Sequence, residues 1–230
     1  MKILGIIPAR CNSKGLRNKN IALIGENSLL ERAILLGNNS SFIDDLYVST
    51  DCRKYEKIAI KAGAKSLGLR DSSLAKDSSK TIDVVIDLIK SINKEYDYVL
   101  ILQPTSPVRN TNDIKMAVKI INESNADSLV SVTRVNEPHP HKMKTISSAG
   151  IIEPLFENTS SEVPRQLLPE VYVPNGAIYL TRIDTILSKM TFFPKRTVPL
   201  IMESNFNIDE EKDLILIREL YRLGKINLGV

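Results

Sequence analysis

Two hydrophobic rhythms take turns along this chain. Residues 2–8 form a β-branched apolar run, Ile3-Leu4-Gly5-Ile6-Ile7, closed by Pro8, which reads as a buried first strand. Leu29, Leu30, Ala33, Ile34 and Leu36 then recur at helical spacing, predicting a helix over 28–40. A second short strand, Leu46-Tyr47-Val48-Ser49-Thr50, ends at Asp51, and a helix fits 53–62, closed by Gly63. Ile82, Val85, Ile86, Ile89 and Ile92 give 81–94 an amphipathic face. Tyr98-Val99-Leu100-Ile101-Leu102 is the clearest buried strand. A helix over 111–123, a strand over 128–133 and a final helix over 210–223 follow.

Strands alternating with helices predict an α/β fold with a mostly parallel, doubly wound sheet. Ligands of such sheets bind at the carboxyl ends of the strands. The polar segments after 2–8, 46–50 and 98–102 all fall at that edge. Residues 136–175 break the rhythm: they hold both histidines and several prolines, with few periodic apolar positions. They read as an excursion from one domain spanning 1–230, and the rhythm resumes at Ala177-Ile178-Tyr179-Leu180.

Composition narrows the class. With 230 residues, 43% hydrophobic and 25% charged, the chain suits one well-cored globular domain. A net charge of +4, with both signs interspersed, is too weak to imply nucleic acid and suits an anionic small ligand. Cys11 and Cys52 make no disulfide framework, and no Cys/His cluster has zinc spacing. The opening residues are too short and too soon broken for a signal peptide, and no apolar run approaches a membrane span. The expectation is a cytoplasmic protein with neither membrane nor nucleic acid as partner.

The loop after the first strand, 9–20, carries Arg10, Lys14, Arg17 and Lys19, with Gly15 for close backbone approach. Cations on a flexible loop at a strand's carboxyl end are what a nucleoside triphosphate requires. The P-loop spacing GxxxxGK[ST] is absent, and so is GxGxxG. Spacing alone leaves open that the loop is simply a solvated surface.

The ordered motifs go further. Ile7-Pro8-Ala9-Arg10, Asn12-Ser13-Lys14-Gly15, Lys19-Asn20, Val48-Ser49-Thr50-Asp51, Leu69-Arg70, Leu74-Ala75-Lys76-Asp77, Gln103-Pro104-Thr105-Ser106-Pro107-Val108-Arg109, Pro164–Pro169 and Pro174–Tyr179 together resemble the CMP-sialic acid synthetase family. That resemblance covers nearly the whole chain. It implies a Rossmann-like nucleotidyltransferase fold, CTP as donor, a nine-carbon sialic-type or legionaminic-type keto-sugar acid as acceptor, Mg²⁺ as cofactor and a homodimer. It implies that Arg10, Ser13, Lys14 and Asn20 hold phosphates and cytosine, that Arg70 and Thr81 complete the nucleotide pocket, and that Gln103 contacts the sugar acid. The 136–170 excursion would reach over the partner subunit, so that Lys142 and Arg165 act there across the interface.

Asn207-Ile208-Asp209 stands where that family usually has two aspartates flanking one residue. Positions 207 and 209 share one side of an extended segment, so both could face a metal. Asn207 could equally cap the last helix. Phe192 and Phe193, beside Tyr179, could be core residues or line a pocket for the sugar's N-acyl group. His139 and His141 read as structural or solvent-facing loop residues, since no carboxylate partner lies nearby. Cys11 reads as a small filler, and Asp51 as a supporting acid or a helix cap. Two other outcomes stay open: a cytidylyltransferase for a shorter keto-sugar acid such as a Kdo-like sugar, and a catalytically impaired nucleotide-binding relative.

Overall fold

The computed structural model describes residues 1–11, 15–157, 162–203 and 206–229. The first strand, β1 (Ile3–Pro8), is buried along nearly its whole length. After the basic loop, a two-strand turn of β2 (Leu23–Ile24) and β3 (Asn27–Ser28) delivers the chain to α1 (Leu29–Asn38). This start is written locally. The Ser28 hydroxyl accepts from the Glu31 amide at 3.3 Å, and the Glu31 carboxylate accepts from the Ser28 amide at 2.9 Å. β4 (Asp45–Ser49) and α2 (Arg53–Lys61) follow, then α3 (Thr81–Ser91), β5 (Tyr98–Ile101), α4 (Thr111–Ser124) and β6 (Ser128–Arg134). Each lies within a few residues of its sequence expectation.

Beyond β6 the sequence expectation was thinner. The described residues of 135–171 form an arm holding a small hairpin, β7 (Lys144–Ile146) and β8 (Ile152–Pro154), whose residues are all exposed. The chain returns through β9 (Tyr172–Arg182), turns into the short α5 (Ile183–Lys189), and adds β10 (Thr197–Met202) before α6 (Glu211–Arg222).

The six-stranded sheet has the order β10-β6-β9-β5-β1-β4. Every pairing is parallel except those of β9, which runs antiparallel to both β5 and β6. Two layers cover the sheet. Leu30, Ile34, Ile114, Val118 and Ile121 pack on one face with Tyr55, and Ile82, Val85, Ile86 and Ile186 on the other. The parallel direction of β1, β4, β5 and β6 puts their carboxyl ends on one edge, as the alternating rhythm predicts.

The opposite side of the sheet is tied by Asp45, a carboxylate almost sealed from solvent. It receives hydrogen bonds from Lys65, Lys94 and the Tyr96 hydroxyl, the last at 2.6 Å. Burial alone would raise its pKa. These donors outweigh burial and hold the carboxyl well below the usual carboxylate range.

Candidate active site

A cavity of about 340 Å³ opens at the carboxyl edge of β1 and β5. Arg10 enters it just past the end of β1, and Gln103 just past the end of β5. Thr81 comes from the first turn of α3, and Asn207 and Asp209 from the extended segment before α6. Arg70 reaches in from the segment beyond α2, where its amide donates to the Thr50 carbonyl at 2.9 Å.

The cations of this cavity have provisional partners. Arg10 Nη1 donates to Asp77 Oδ1 at 2.9 Å and to the Lys76 carbonyl at 3.3 Å. Lys19 Nζ donates to Asp209 Oδ1 at 2.9 Å and to the Ile208 carbonyl at 3.2 Å. Arg70 is nearly buried, 3.9 Å from Asp51 Oδ1, and its Nε has no hydrogen-bond partner among the described residues. Burial lowers its pKa, with Asp51 opposing that shift. Such a guanidinium retains donor capacity for a ligand. Asn20, also buried, spends its amide nitrogen on the Arg10 carbonyl at 2.9 Å, fixing the main chain at the loop entrance.

Backbone proximity joins the basic loop to the candidate metal segment. A Cβ at Gly15 would lie 2.4 Å from the Asp209 carbonyl oxygen, so only glycine permits this approach. Along the segment, Ser106 Oγ donates to Asn207 Oδ1 at 3.3 Å, and Asn207 Nδ2 donates to Asp209 Oδ2 at 2.8 Å. The Ile208 amide donates to the Thr105 carbonyl at 2.8 Å, pinning the segment to the loop after β5. Among the described residues no cluster of three or more His, Cys, Asp or Glu could hold a metal ion. The donor set is therefore one exposed carboxylate with an amide beside it. That suits a Mg²⁺ carried by phosphate oxygens and water, since this ion commonly uses only one or two protein carboxylates.

A second cavity of about 280 Å³ adjoins the first and shares Thr81 and Gln103 with it. Its wall is aromatic. Tyr179 lies 5.4 Å from Phe192 and 6.3 Å from Phe193, centroid to centroid. Burial raises the pKa of the Tyr179 hydroxyl. Phe193 remains half exposed and Phe192 packs partly into the core, so both readings of this pair hold in part. Gly176 sets the position of Gln103. Its φ is +74°, and a Cβ there would lie 2.7 Å from Gln103 Oε1 and 2.6 Å from Ser106 Oγ. Arg109, fully buried, links the two motifs by donating to the Ala177 carbonyl at 2.6 Å, and burial pushes its pKa down to about 9.

Arg10, Asn20, Arg70, Thr81, Gln103, Asn207 and Asp209 thus converge on the first cavity, and Tyr179, Phe192 and Phe193 on the second. Ser13 and Lys14 lie outside the described residues. Lys142 and Arg165 are brought to neither cavity of their own chain. Lys142 Nζ is 3.9 Å from Glu137, and Arg165 Nη2 donates to Asn136 at 2.6 Å, both within the arm. His139 is structural, as expected. Its Nδ1 accepts from the His141 amide at 3.2 Å, which leaves Nε2–H to donate to the Pro169 carbonyl at 3.0 Å. Sequence reasoning gave no role to Asp77 or Ser106. Both sit inside motifs that carry the resemblance, which was the one available signal.

An α/β sheet with a cation-lined cavity at its carboxyl edge, and a second pocket against it, is the site of a protein that takes an anionic ligand beside a second group. The chain belongs to the cytidylyltransferase family, whose model matches residues 4–227. It is 34% identical over 236 residues to a CMP-N,N'-diacetyllegionaminic acid synthase of Legionella pneumophila, covering 98% of each chain. It is 33% identical over 211 residues to an N-acylneuraminate cytidylyltransferase of Streptococcus agalactiae, covering 91% of this chain but only 50% of that longer relative. In structure it superposes with TM-score 0.71 and 15% identity on a CMP:2-keto-3-deoxy-manno-octonic acid synthetase complexed with CTP, covering 97% of this chain and 100% of that one. At that identity the likeness concerns the fold. No helix among the described residues is long and apolar enough to cross a membrane.

Proposed function

We propose that this chain transfers CMP from CTP to the anomeric hydroxyl of a nine-carbon 2-keto-sugar acid of the sialic or legionaminic type. The observation that carries this reading is the pair of adjoining cavities, one cationic and one aromatic, meeting at Thr81 and Gln103. The triphosphate would occupy the first and the acylamino side of the sugar the second. In the transfer the anomeric oxygen attacks the α-phosphorus, its proton leaves to solvent, and the bond to pyrophosphate breaks.

Positioning and charge neutralisation dominate such transfers. Arg10 and Lys14 offset charge growing on pyrophosphate, and Arg70 offers its open donor to the nucleotide. Arg10 would exchange Asp77 for phosphate, and Lys19 would release Asp209. Asp209, with Asn207 beside it, would hold Mg²⁺ against the phosphate oxygens, and that ion supplies further charge neutralisation. Cytosine selection falls to Asn20, Arg70 and main-chain groups of the loop.

The unit we propose is a homodimer. The arm exposes Ile146, Ile152 and Leu167 at 74%, 68% and 75%, an apolar surface that a second copy would cover. Lys142 and Arg165, unused in their own chain's site, would then meet the sugar carboxylate and phosphate of the partner. The test is pyrophosphate release with CTP, UTP or ATP against N-acetylneuraminate, a legionaminate and a Kdo-like acid. Turnover confined to CTP with a nine-carbon acid is expected. Preference for the Kdo-like acid would reassign the acceptor, and silence with every acid despite tight CTP binding would mark an impaired relative.

A further inference from the structure

The only two cysteines of the chain stand side by side at the entrance to the basic loop, and the transfer chemistry uses neither. In the β1–β4 ladder Pro8 pairs with Ser49, and the Ala9 amide donates to the Ser49 carbonyl at 2.9 Å. The ladder ends there, and extrapolating its register three residues past the strands would bring Cys11 opposite Cys52. A hydrogen bond from the Cys11 amide to Asp51 Oδ1, at 2.9 Å, keeps the two segments together beyond the strands. Adjacent strands lie about 4.8 Å apart, inside the range of about 4.4–6.8 Å between Cα atoms that a disulfide accepts. The Cys52 thiol is near enough to raise the pKa of the Cys11 thiol, and both residues are part-exposed.

We propose that Cys11 and Cys52 form a reversible disulfide site that, once closed by a peroxide, disables the nucleotide loop. One thiolate sulfur attacks a peroxide oxygen, giving a sulfenic acid and one water. The second thiol attacks that sulfur, forming the S–S bond and releasing a second water. The two cysteines are oxidised by two electrons and the peroxide is reduced by two. Closure draws the sulfurs to about 2 Å.

The pull acts where the loop is anchored. The Cys11 carbonyl accepts from the Tyr55 hydroxyl at 3.4 Å, and the preceding carbonyl, of Arg10, accepts from Asn20 at 2.9 Å. Moving residue 11 therefore moves Arg10 beside it. Burial and the neighbouring Cys52 thiol push the Cys11 thiol up to about 11, so little thiolate exists at neutral pH. The pair resists mild oxidants, and closure speeds up as pH rises.

The test treats the full chain with hydrogen peroxide at alkaline pH, where the thiolate fraction is larger, counts free thiols in denaturant, and maps unreduced peptides. The expected result is joint loss of both thiols, a linked peptide containing residues 11 and 52, and CTP binding weakened by about tenfold to a hundredfold. Dithiothreitol should restore all three readings. Cys11→Ser and Cys52→Ser should each keep CTP binding under the same treatment. Absence of the linked peptide overturns the proposal, as does linkage with CTP binding intact or equal sensitivity in the serine variants. Thiol counts and peptide maps do not depend on the sugar, so failure of the acceptor assignment leaves the proposal standing.

Discussion

The sheet body and the arm follow opposite rules. In the body, most awkward groups find partners within the chain, the Arg70 Nε being an exception: Asp45 is sealed but triply bonded, and Asp209 is held by both Lys19 and Asn207. In the arm, apolar side chains stand in solvent and two cations pair only weakly or locally. The body reads as a finished object, and the arm as half of one. On the proposed function, a catalytic unit divided in this way would hold its nucleotide within one chain and call on a second copy to complete the acceptor side.

The sharpest attack on the body's half is at Arg10. Arg10→Ala should lower kcat about a hundredfold or more, as expected for losing one electrostatic stabiliser, with unchanged thermal unfolding. Steady-state kinetics of the variant check this, and near-normal activity would reduce the loop to a solvated surface. The comparison itself is tested by mixing. Arg10→Ala and Arg165→Ala chains, each inactive, should regain part of the activity when their subunits exchange, because one site then has both arginines. No recovery after verified exchange would remove Arg165 from the partner's cavity.

Asp45 offers a stability test. Asp45→Asn should cost about 1–2 kcal/mol, a figure held down because Lys65 and Lys94 are about half exposed. The folded-state pKa is depressed, so this stability is present above the unfolded carboxylate value of about 4 and fades as pH falls below it. Wild type should therefore lose its advantage over the variant in acid, as denaturant midpoints at several pH values would show. The smallest effect belongs to the arm. Ile152→Glu should change the stability of the isolated chain by no more than about 0.5 kcal/mol, yet shift sedimentation toward monomer. A large loss of monomer stability would mean that the arm is a finished structure after all.

Much of the body was legible because its signals are local. Unbroken apolar runs marked β1, β4, β5 and β6, and five helices announced themselves by spacing and caps. Strand direction has no such local mark, so the reversal of β9 was not foreseen. β10 escaped because Pro199 interrupts it and much of it is exposed, features that an edge strand paired only to β6 tolerates. In the site, the residues that converge were named through an ordered resemblance. Their pairings were not, since Arg10 meets Asp77 across 67 positions and Lys19 meets Asp209 across 190. The neighbouring thiols became visible only when the register of β1 against β4 was known.

The reversal of β9 bears on the length of the arm. Arg134 pairs with Tyr172, and the Val135 amide donates to the Val171 carbonyl at 2.9 Å, so the arm leaves and re-enters the sheet at a single closed neck. Beneath it, β6 and β9 are an antiparallel hairpin with one register shift, between Val130 and Val132, and the arm is the connection between them. Doubling the length of such a connection costs only about 0.6 kcal/mol of closure entropy. The arm can therefore change length at little cost to the sheet beneath it, because the neck, not the arm's interior, fixes β6 against β9.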